Sequence, residues 1–324
     1  MQKSVKLADE ARKVYLAEVP TTKEVSVALS LGPFGSAVKP PQDFDGFYPP
    51  PFGPKGPFSS SDESKTRLFS SSSSSSSDSG VVTVEEEERK AIEALAEFHL
   101  WRLRAVASDS ETWNSVDYIA FETVPHLREL RAIKLAMSKF DGGGGGGGGG
   151  GLVSGLKGWW VSLVFPDGEG SAQWSREERE HQTRSLGVEG DSGRSEILNV
   201  VLDDKIGAVP TGLGLNCTRI DRYSSILSSI TSRSKYSSSS EKVPLTLVIY
   251  PNGGRLGDTF DSIAHRWKND GRPRPDGKNI TWEEEVVEVV QKCQGDWRDI
   301  VVGGCCRVYP PQITGLREKV DEVL

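Results

Sequence analysis

Ile300-Val-Val-Gly-Gly-Cys-Cys-Arg307 is a branched apolar run that stops at two glycines and then presents two adjacent thiols. The β-branched residues read as a buried strand and the glycines as its end, so Cys305 and Cys306 are expected in a loop. Gly212-Leu-Gly-Leu-Asn-Cys-Thr-Arg219 has the same form, a short apolar strand ending at Cys217. Three of the four cysteines thus fall at strand ends, where a parallel barrel or sheet gathers its reactive groups.

Outward from these segments, helices and strands alternate. Leu7, Ala11 and Val14 share one face of a helix over residues 4–17, and Val25 to Leu31 reads as a strand. A helix from Val84 to Arg104 carries Ala91, Leu95 and Phe98 in phase, and a strand from Val116 to Phe121 ends at Glu122. Pro125 opens a further helix, Trp159 to Phe165 is a strand, and a polar, Glu-rich stretch leads to the strand at 212. Leu245 to Tyr250 is the next strand, and Thr281 and Glu284 have capping-box spacing ahead of a valine-rich helix. After the strand at 300, a short helix follows Pro310 and Pro311.

Strands at 25, 116, 159, 212, 245 and 300 make six βα units. The expectation is an α/β fold of the (β/α)8 TIM-barrel type, incomplete at its N-terminal side. Right-handed crossovers would bring Glu122, Cys217, Asn252 and Cys305 to one face. An open doubly wound sheet is the alternative, although no strand is followed by G-x-G-x-x-G and no G-x-x-x-x-G-K-[ST] is present. Ser70–Ser77 and Gly142–Gly151 are unbroken tracts that offer no apolar burial against their ordering entropy. Residues 1–324 are therefore expected to be one domain with low-complexity insertions at about 56–80 and 141–155; a domain boundary at the glycine tract is the competing reading.

Composition narrows the function. The 324 residues are 36% hydrophobic and 26% charged, enough for a large core, and a net charge of -7 gives no support to a nucleic-acid surface. No apolar stretch approaches the roughly 18 residues of a membrane span, and the first ten residues lack the apolar run of a secretory signal. Four cysteines are too sparse for a disulfide scaffold, so a reducing, cytoplasmic setting and a small-molecule partner are expected.

Three thiols suit Zn2+ with a fourth position left for substrate, and a substrate thiol entering there loses its proton. Such a centre fits alkyl transfer to sulfur from a sulfonium donor, whose neutral thioether leaves unaided. Spacing alone also allows Cys305 and Cys306 to be core thiols or a vicinal disulfide. Cys293 lies in or after the valine-rich helix and reads as a small hydrophobe. Glu122 ends an apolar strand and needs a partner, either a substrate amino group or Arg128 or Arg131. Asn216 is placed to hydrogen-bond a sulfur, orient its loop or cap the following turn. Arg307 has a charge-neutralising and a surface reading. His126 reads as a surface or capping residue, while His99, His181 and His265 have no ligand spacing. The loop from Asp43 to Tyr48 precedes Pro49, Pro50, Pro51 and Pro54 and reads as either a functional loop or an extended linker.

Gly303-Gly-Cys-Cys-Arg307, Leu215-Asn-Cys-Thr218, Ile119-Ala-Phe-Glu-Thr-Val-Pro125, Trp160-Val-Ser-Leu-Val-Phe165 and Val248-Ile-Tyr-Pro-Asn-Gly253 together resemble the homocysteine S-methyltransferase family. The resemblance runs from about residue 4 to 320, broken at the serine and glycine tracts. It implies a zinc-dependent barrel that methylates homocysteine to methionine, with Cys217, Cys305 and Cys306 as metal ligands and Glu122 on the homocysteine amino group. Ser30-Leu-Gly-Pro-Phe-Gly35 resembles the branch using S-methylmethionine or S-adenosylmethionine, in which Phe44 and Tyr48 would help enclose the donor. The family pattern begins with two strands, the first ending in Asp-Gly-Gly, that have no match here. The implied alternatives are an active but N-terminally incomplete member and a catalytically inactive barrel remnant or binding protein.

Overall fold

Six short apolar runs form one parallel sheet in the computed structural model, which describes residues 1–19, 24–44, 46–54, 69, 83–141, 157–165, 195–231, 243–253, 258–261, 266–269 and 280–323. The strands are β1 (Ala28–Leu31), β2 (Tyr118–Val124), β3 (Gly158–Val164), β4 (Gly212–Arg219), β5 (Val243–Asn252) and β8 (Trp297–Val302). An antiparallel pair, β6 (Asp258–Asp261) and β7 (Arg266–Asn269), intervenes before β8. Spatial order β1-β2-β3-β4-β5-β8 follows the chain, and every neighbouring pair is parallel.

The register explains where the core lies. Leu31, Phe121, Val161, Leu213, Leu247 and Ile300 stand in one row across all six strands. The adjacent row, Ser30, Ala120, Trp160, Gly212, Thr246 and Asp299, is mixed and largely small or polar. Successive side chains point to opposite faces, so the first row enters the main core with the helices and the second lines the other face. Each buried aliphatic side chain contributes about 1.5–3 kcal/mol, which makes this row a strong determinant of register.

The helices are α1 (Gln2–Glu18), α2 (Val84–Ala107), α3 (Ser110–Asn114), α4 (Leu127–Asp141), α5 (Ser195–Leu202), α6 (Tyr223–Thr231), α7 (Trp282–Cys293) and α8 (Pro310–Val323). Thr83 caps α2 by accepting the Glu86 N–H, and three glutamates in its first turn complement the helix dipole. The expected capping box of Thr281 and Glu284 starts α7. On α2 and α4, Leu95, Ala96, Leu100, Ala132 and Ala136 make a second, smaller core with Phe34 and Tyr48.

The expected six-unit α/β arrangement of the (β/α)8 type is therefore present, with six barrel strands among the described residues. β1 and β8 form the two edges of that sheet. Several local expectations need correction. The first strand begins at Ala28 rather than Val25, because Val27 instead exchanges backbone and side-chain hydrogen bonds with Asp117. The last helix runs for 14 residues. Helix α6 was hidden by its four serines, although Ile226, Leu227 and Ile230 fall on one buried face. The β6–β7 pair and α3 were also unexpected. The proposed insertions at 56–80 and 141–155 lie almost wholly outside the described residues, as do His181, His265 and the Glu-rich stretch before Ser195.

Candidate metal centre

Strands β4, β5 and β8 are neighbours, and their C-terminal ends bring together cysteines that are far apart in sequence. Cys217 Sγ lies 2.8 Å from Cys305 Sγ and 3.8 Å from Cys306 Sγ, and all three sulfurs fall within 4.8 Å of one another. No disulfide joins them. Cys217 is buried, Cys305 half-buried and Cys306 exposed, so the cluster opens on one side.

Backbone pairing holds this loop against β5. Gly303 N–H donates to Ile249 O, Cys305 N–H to Pro251 O, and Gly253 N–H to Cys306 O, all at 2.8–2.9 Å. Gly304 is required by close approach: a Cβ there would stand 2.4 Å from Val308 Cγ1. Gly303 meets only ordinary contact with Tyr250. The left-handed backbone positions of the site belong instead to Thr123, Cys217 and Arg307, with φ of 60°, 48° and 65°. Thr123 and Cys217 turn the chain near the ends of β2 and β4, and Arg307 turns it in the loop after β8.

Asn216 is buried behind the cluster and organises it. Its Oδ1 accepts the Thr123 N–H at 2.9 Å, while Nδ2 donates to Thr123 Oγ1 at 2.8 Å and to Cys217 Sγ at 3.5 Å. Cys305 Sγ is 4.0 Å from the same nitrogen. Both the strand end of β2 and the sulfur of β4 are thereby tied to one amide.

The sulfurs share charge unevenly. Contacts from Cys305 and then Cys306, with burial, push the Cys217 thiol up. Hydrogen bonds from Cys217 and Cys305 push Cys306 down, favouring its thiolate. Thiolates on a tetrahedral zinc-sized ion, with bonds of about 2.3 Å, stand roughly 3.8 Å apart. The Cys217–Cys306 separation has that value and Cys305 is closer. Three soft donors, one open side and amide support on the sulfurs make a site fit for a soft metal ion.

Glu122, at the end of β2, is half-buried and accepts the Ser30 hydroxyl. Burial raises its pKa; Ser30 opposes that shift and negative charge on Cys305 adds to it. Arg128 does not pair with it, because that guanidinium binds Glu88 at 2.7 Å. Tyr48 is only 3% exposed, and its hydroxyl donates to Glu129. Phe44 is half-buried in the same loop. The negative charge of Asp43, which precedes it, is a minor influence opposing ionisation of Cys306. Asn252 ends β5 with its Oδ1 buried and without a partner.

Other residues fall outside the centre. Cys293 packs in the main core, and burial followed by Asp296 pushes its thiol up to about 11. His126 is buried rather than at the surface, and its Nδ1 caps α4 by accepting the Glu129 N–H at 3.2 Å. Thr123, Ser30, Ser162 and Tyr250 also occupy the strand ends but escaped sequence reasoning, since single hydroxyl residues carry no spacing pattern. The rule that strand-end residues converge was the signal available for them.

The family model described as homocysteine S-methyltransferase matches residues 1–320. A betaine-homocysteine S-methyltransferase from Drosophila melanogaster is 26% identical over 99% of this chain and 70% of its own length. A homocysteine S-methyltransferase from Escherichia coli K12 is 20% identical over 98% of this chain and 70% of its own length. The crystal structure of the homocysteine methyltransferase MmuM from Escherichia coli, in its metallated form, superposes with a TM-score of 0.53 at 19% identity. That likeness covers 98% of this chain and 69% of the crystallised one, and shows the shared barrel-type fold. No described helix is long and apolar enough to cross a membrane. By this match over nearly its whole length, the chain belongs to the homocysteine S-methyltransferase family of enzymes.

Proposed function

We propose that this chain transfers a methyl group from a sulfonium donor, S-methylmethionine or S-adenosylmethionine, to homocysteine, giving methionine, at Zn2+ held by Cys217, Cys305 and Cys306. The observation that carries the reading is the meeting of these sulfurs within 4.8 Å on an otherwise ordinary barrel face. When bound, zinc supplies a positive centre that keeps an incoming thiol deprotonated at neutral pH.

The chain's own residues do the positioning. Asn216 holds the Cys217 sulfur in place, and Glu122, oriented by Ser30, receives the homocysteine ammonium. Phe44 and the loop around it enclose the donor, with Tyr48 anchoring that loop from behind. Bringing acceptor and donor in line at attack distance is the main catalytic task. The new bond joins homocysteine sulfur to the methyl carbon. The electron pair of the broken bond stays on the donor, which leaves as a neutral thioether, and the thiol proton passes to solvent. We further read residues 1–324 as one domain with low-complexity insertions, working in a reducing cytoplasm.

A second reading, a barrel that binds without turnover, is favoured by the sheet edges: among the described residues β1 and β8 have one strand neighbour each. Elemental analysis for zinc, combined with methionine formation from S-methylmethionine, S-adenosylmethionine and betaine in parallel, separates the possibilities. About one zinc per chain and sulfonium-dependent turnover is the expected result. Turnover with betaine alone would replace the donor, and bound zinc with no turnover would favour the second reading.

A further inference from the structure

The third thiol of the cluster is held differently from the other two. Asn216 Nδ2 approaches the sulfurs of Cys217 and Cys305, whereas the sulfur contacts of Cys306 are with those two thiols and its own backbone. Cys306 is therefore placed by its main chain. It is the second residue of a turn closed by Val308 N–H, which donates to Cys305 O at 3.1 Å, and left-handed Arg307 is the third. Gly253 N–H donates to Cys306 O at 2.8 Å. That approach needs glycine, since a Cβ on Gly253 would stand 2.5 Å from Arg307 O.

The N–H of Gly253 and the carbonyl of Asn252 are the two ends of one planar peptide group. Trp282 Nε1–H donates to that carbonyl at 2.9 Å in a buried setting. The peptide is thus held at both ends, and rotating it would break the bond to the indole and the bond to Cys306 together. Hydrogen bonds joined through one peptide also polarise each other, so loss of the first weakens the second. Trp282 is the first residue of α7, whose start is fixed by the Thr281–Glu284 capping box, and its indole nitrogen is a donor only.

We propose that Trp282 is a positioning residue of the metal centre, setting the Cys306 turn through the Asn252–Gly253 peptide. This rests on the metal reading above and adds to it a residue that acts through a peptide group rather than by contact with a sulfur. Trp297 supplies the comparison: it packs in the same main core, and its Nε1–H is buried without a partner.

The test uses the full chain and zinc alone. Trp282→Phe keeps a buried ring and removes the N–H, and it should weaken zinc in a chelator competition by about three- to tenfold, the loss of one hydrogen bond. Trp297→Phe removes the same atoms from the same core and should leave zinc affinity unchanged. A second measurement needs no substitution. In protein labelled with the heavy nitrogen isotope at its indoles, zinc should shift the Trp282 N–H resonance and leave that of Trp297 in place. Equal zinc affinity in wild type and Trp282→Phe overturns the proposal while the metal reading stands. So does an equal loss in both variants, or a Trp282 resonance that zinc leaves unmoved, and the resonance decides if Trp282→Phe fails to fold. A wild-type chain that takes up no zinc overturns the metal reading, and the assignment of Trp282 with it.

Discussion

The hydroxyl of Tyr48 donates to the carboxylate of Glu129 at 2.5 Å, in a pocket where Glu129 has no solvent exposure. The same carboxylate accepts the Phe34 N–H at 2.6 Å and contacts His99 Nε2 at 3.0 Å. Arg102 continues the chain, reaching His99 Nδ1 and the Gly32 carbonyl. Burial opposes ionisation of Glu129, but His99, His126 and Tyr48 outweigh it and its pKa is lowered. One buried anion therefore pins both ends of the Phe34–Tyr48 loop to α4. Glu129→Gln should lower stability by about 2–3 kcal/mol, because one acceptor is replaced by a donor that faces other donors. Urea unfolding measures this, and a wild-type midpoint would refute the anchor.

Acid should destabilise the protein through its buried histidines. Burial, and then Arg128, push His126 down to about 4 from an ordinary 6.5. Burial also lowers His99. Between those two pH values the unfolded chain binds more protons than the folded one, so stability falls as pH falls and the loss is complete near the folded value. For His126 the limit is on the order of 3 kcal/mol. His126→Asn, which retains a capping acceptor, should show a shallower decline of unfolding free energy between pH 7 and 4.5.

Metal retention should separate the clustered cysteines from the isolated one. Cys305→Ala is expected to lose most bound zinc on dialysis, since a ligand and its compensating charge vanish together. Cys293→Ala should keep full metal content while losing about 1 kcal/mol from a small core cavity. Equal zinc in the two variants would disprove the assignment.

Asn216→Ala removes the amide that holds both Thr123 and the Cys217 sulfur. Zinc affinity in a chelator competition should fall by about 10- to 100-fold, the range for lost outer-sphere partners. Unchanged affinity would show that the thiols position themselves.

Gly214→Ala tests the floor of the site. The added methyl would overlap Ser162 Oγ and approach Val248 O to 2.9 Å. A loss of about 1–3 kcal/mol in thermal or urea unfolding is expected from overpacking.

Much of the frame was readable because it depends on local periodicity. The Gly212–Thr218 and Ile300–Cys306 segments carry branched apolar residues up to a strand end, and parallel crossovers send such ends to one face. Helix α6 was not expected because its four serines dilute the apolar periodicity, and the burial of Ile226, Leu227 and Ile230 is decided by packing in the main core. Tyr48 was expected beside the donor from the family resemblance. Its burial follows from Glu129, 81 residues later, which no local pattern announces.

The amino-acid order alone determined the alternation of strands and helices and the placement of three thiols at strand termini, because backbone periodicity and glycine breaks are local properties. Tertiary structure alone decided that Asn216 grips Thr123, that Tyr48 turns toward Glu129, and that Tyr250 passes Gly214 to reach Ser162. Those contacts depend on register between neighbouring strands and on packing across the sheet, where a shift of one residue would send each side chain to the opposite face.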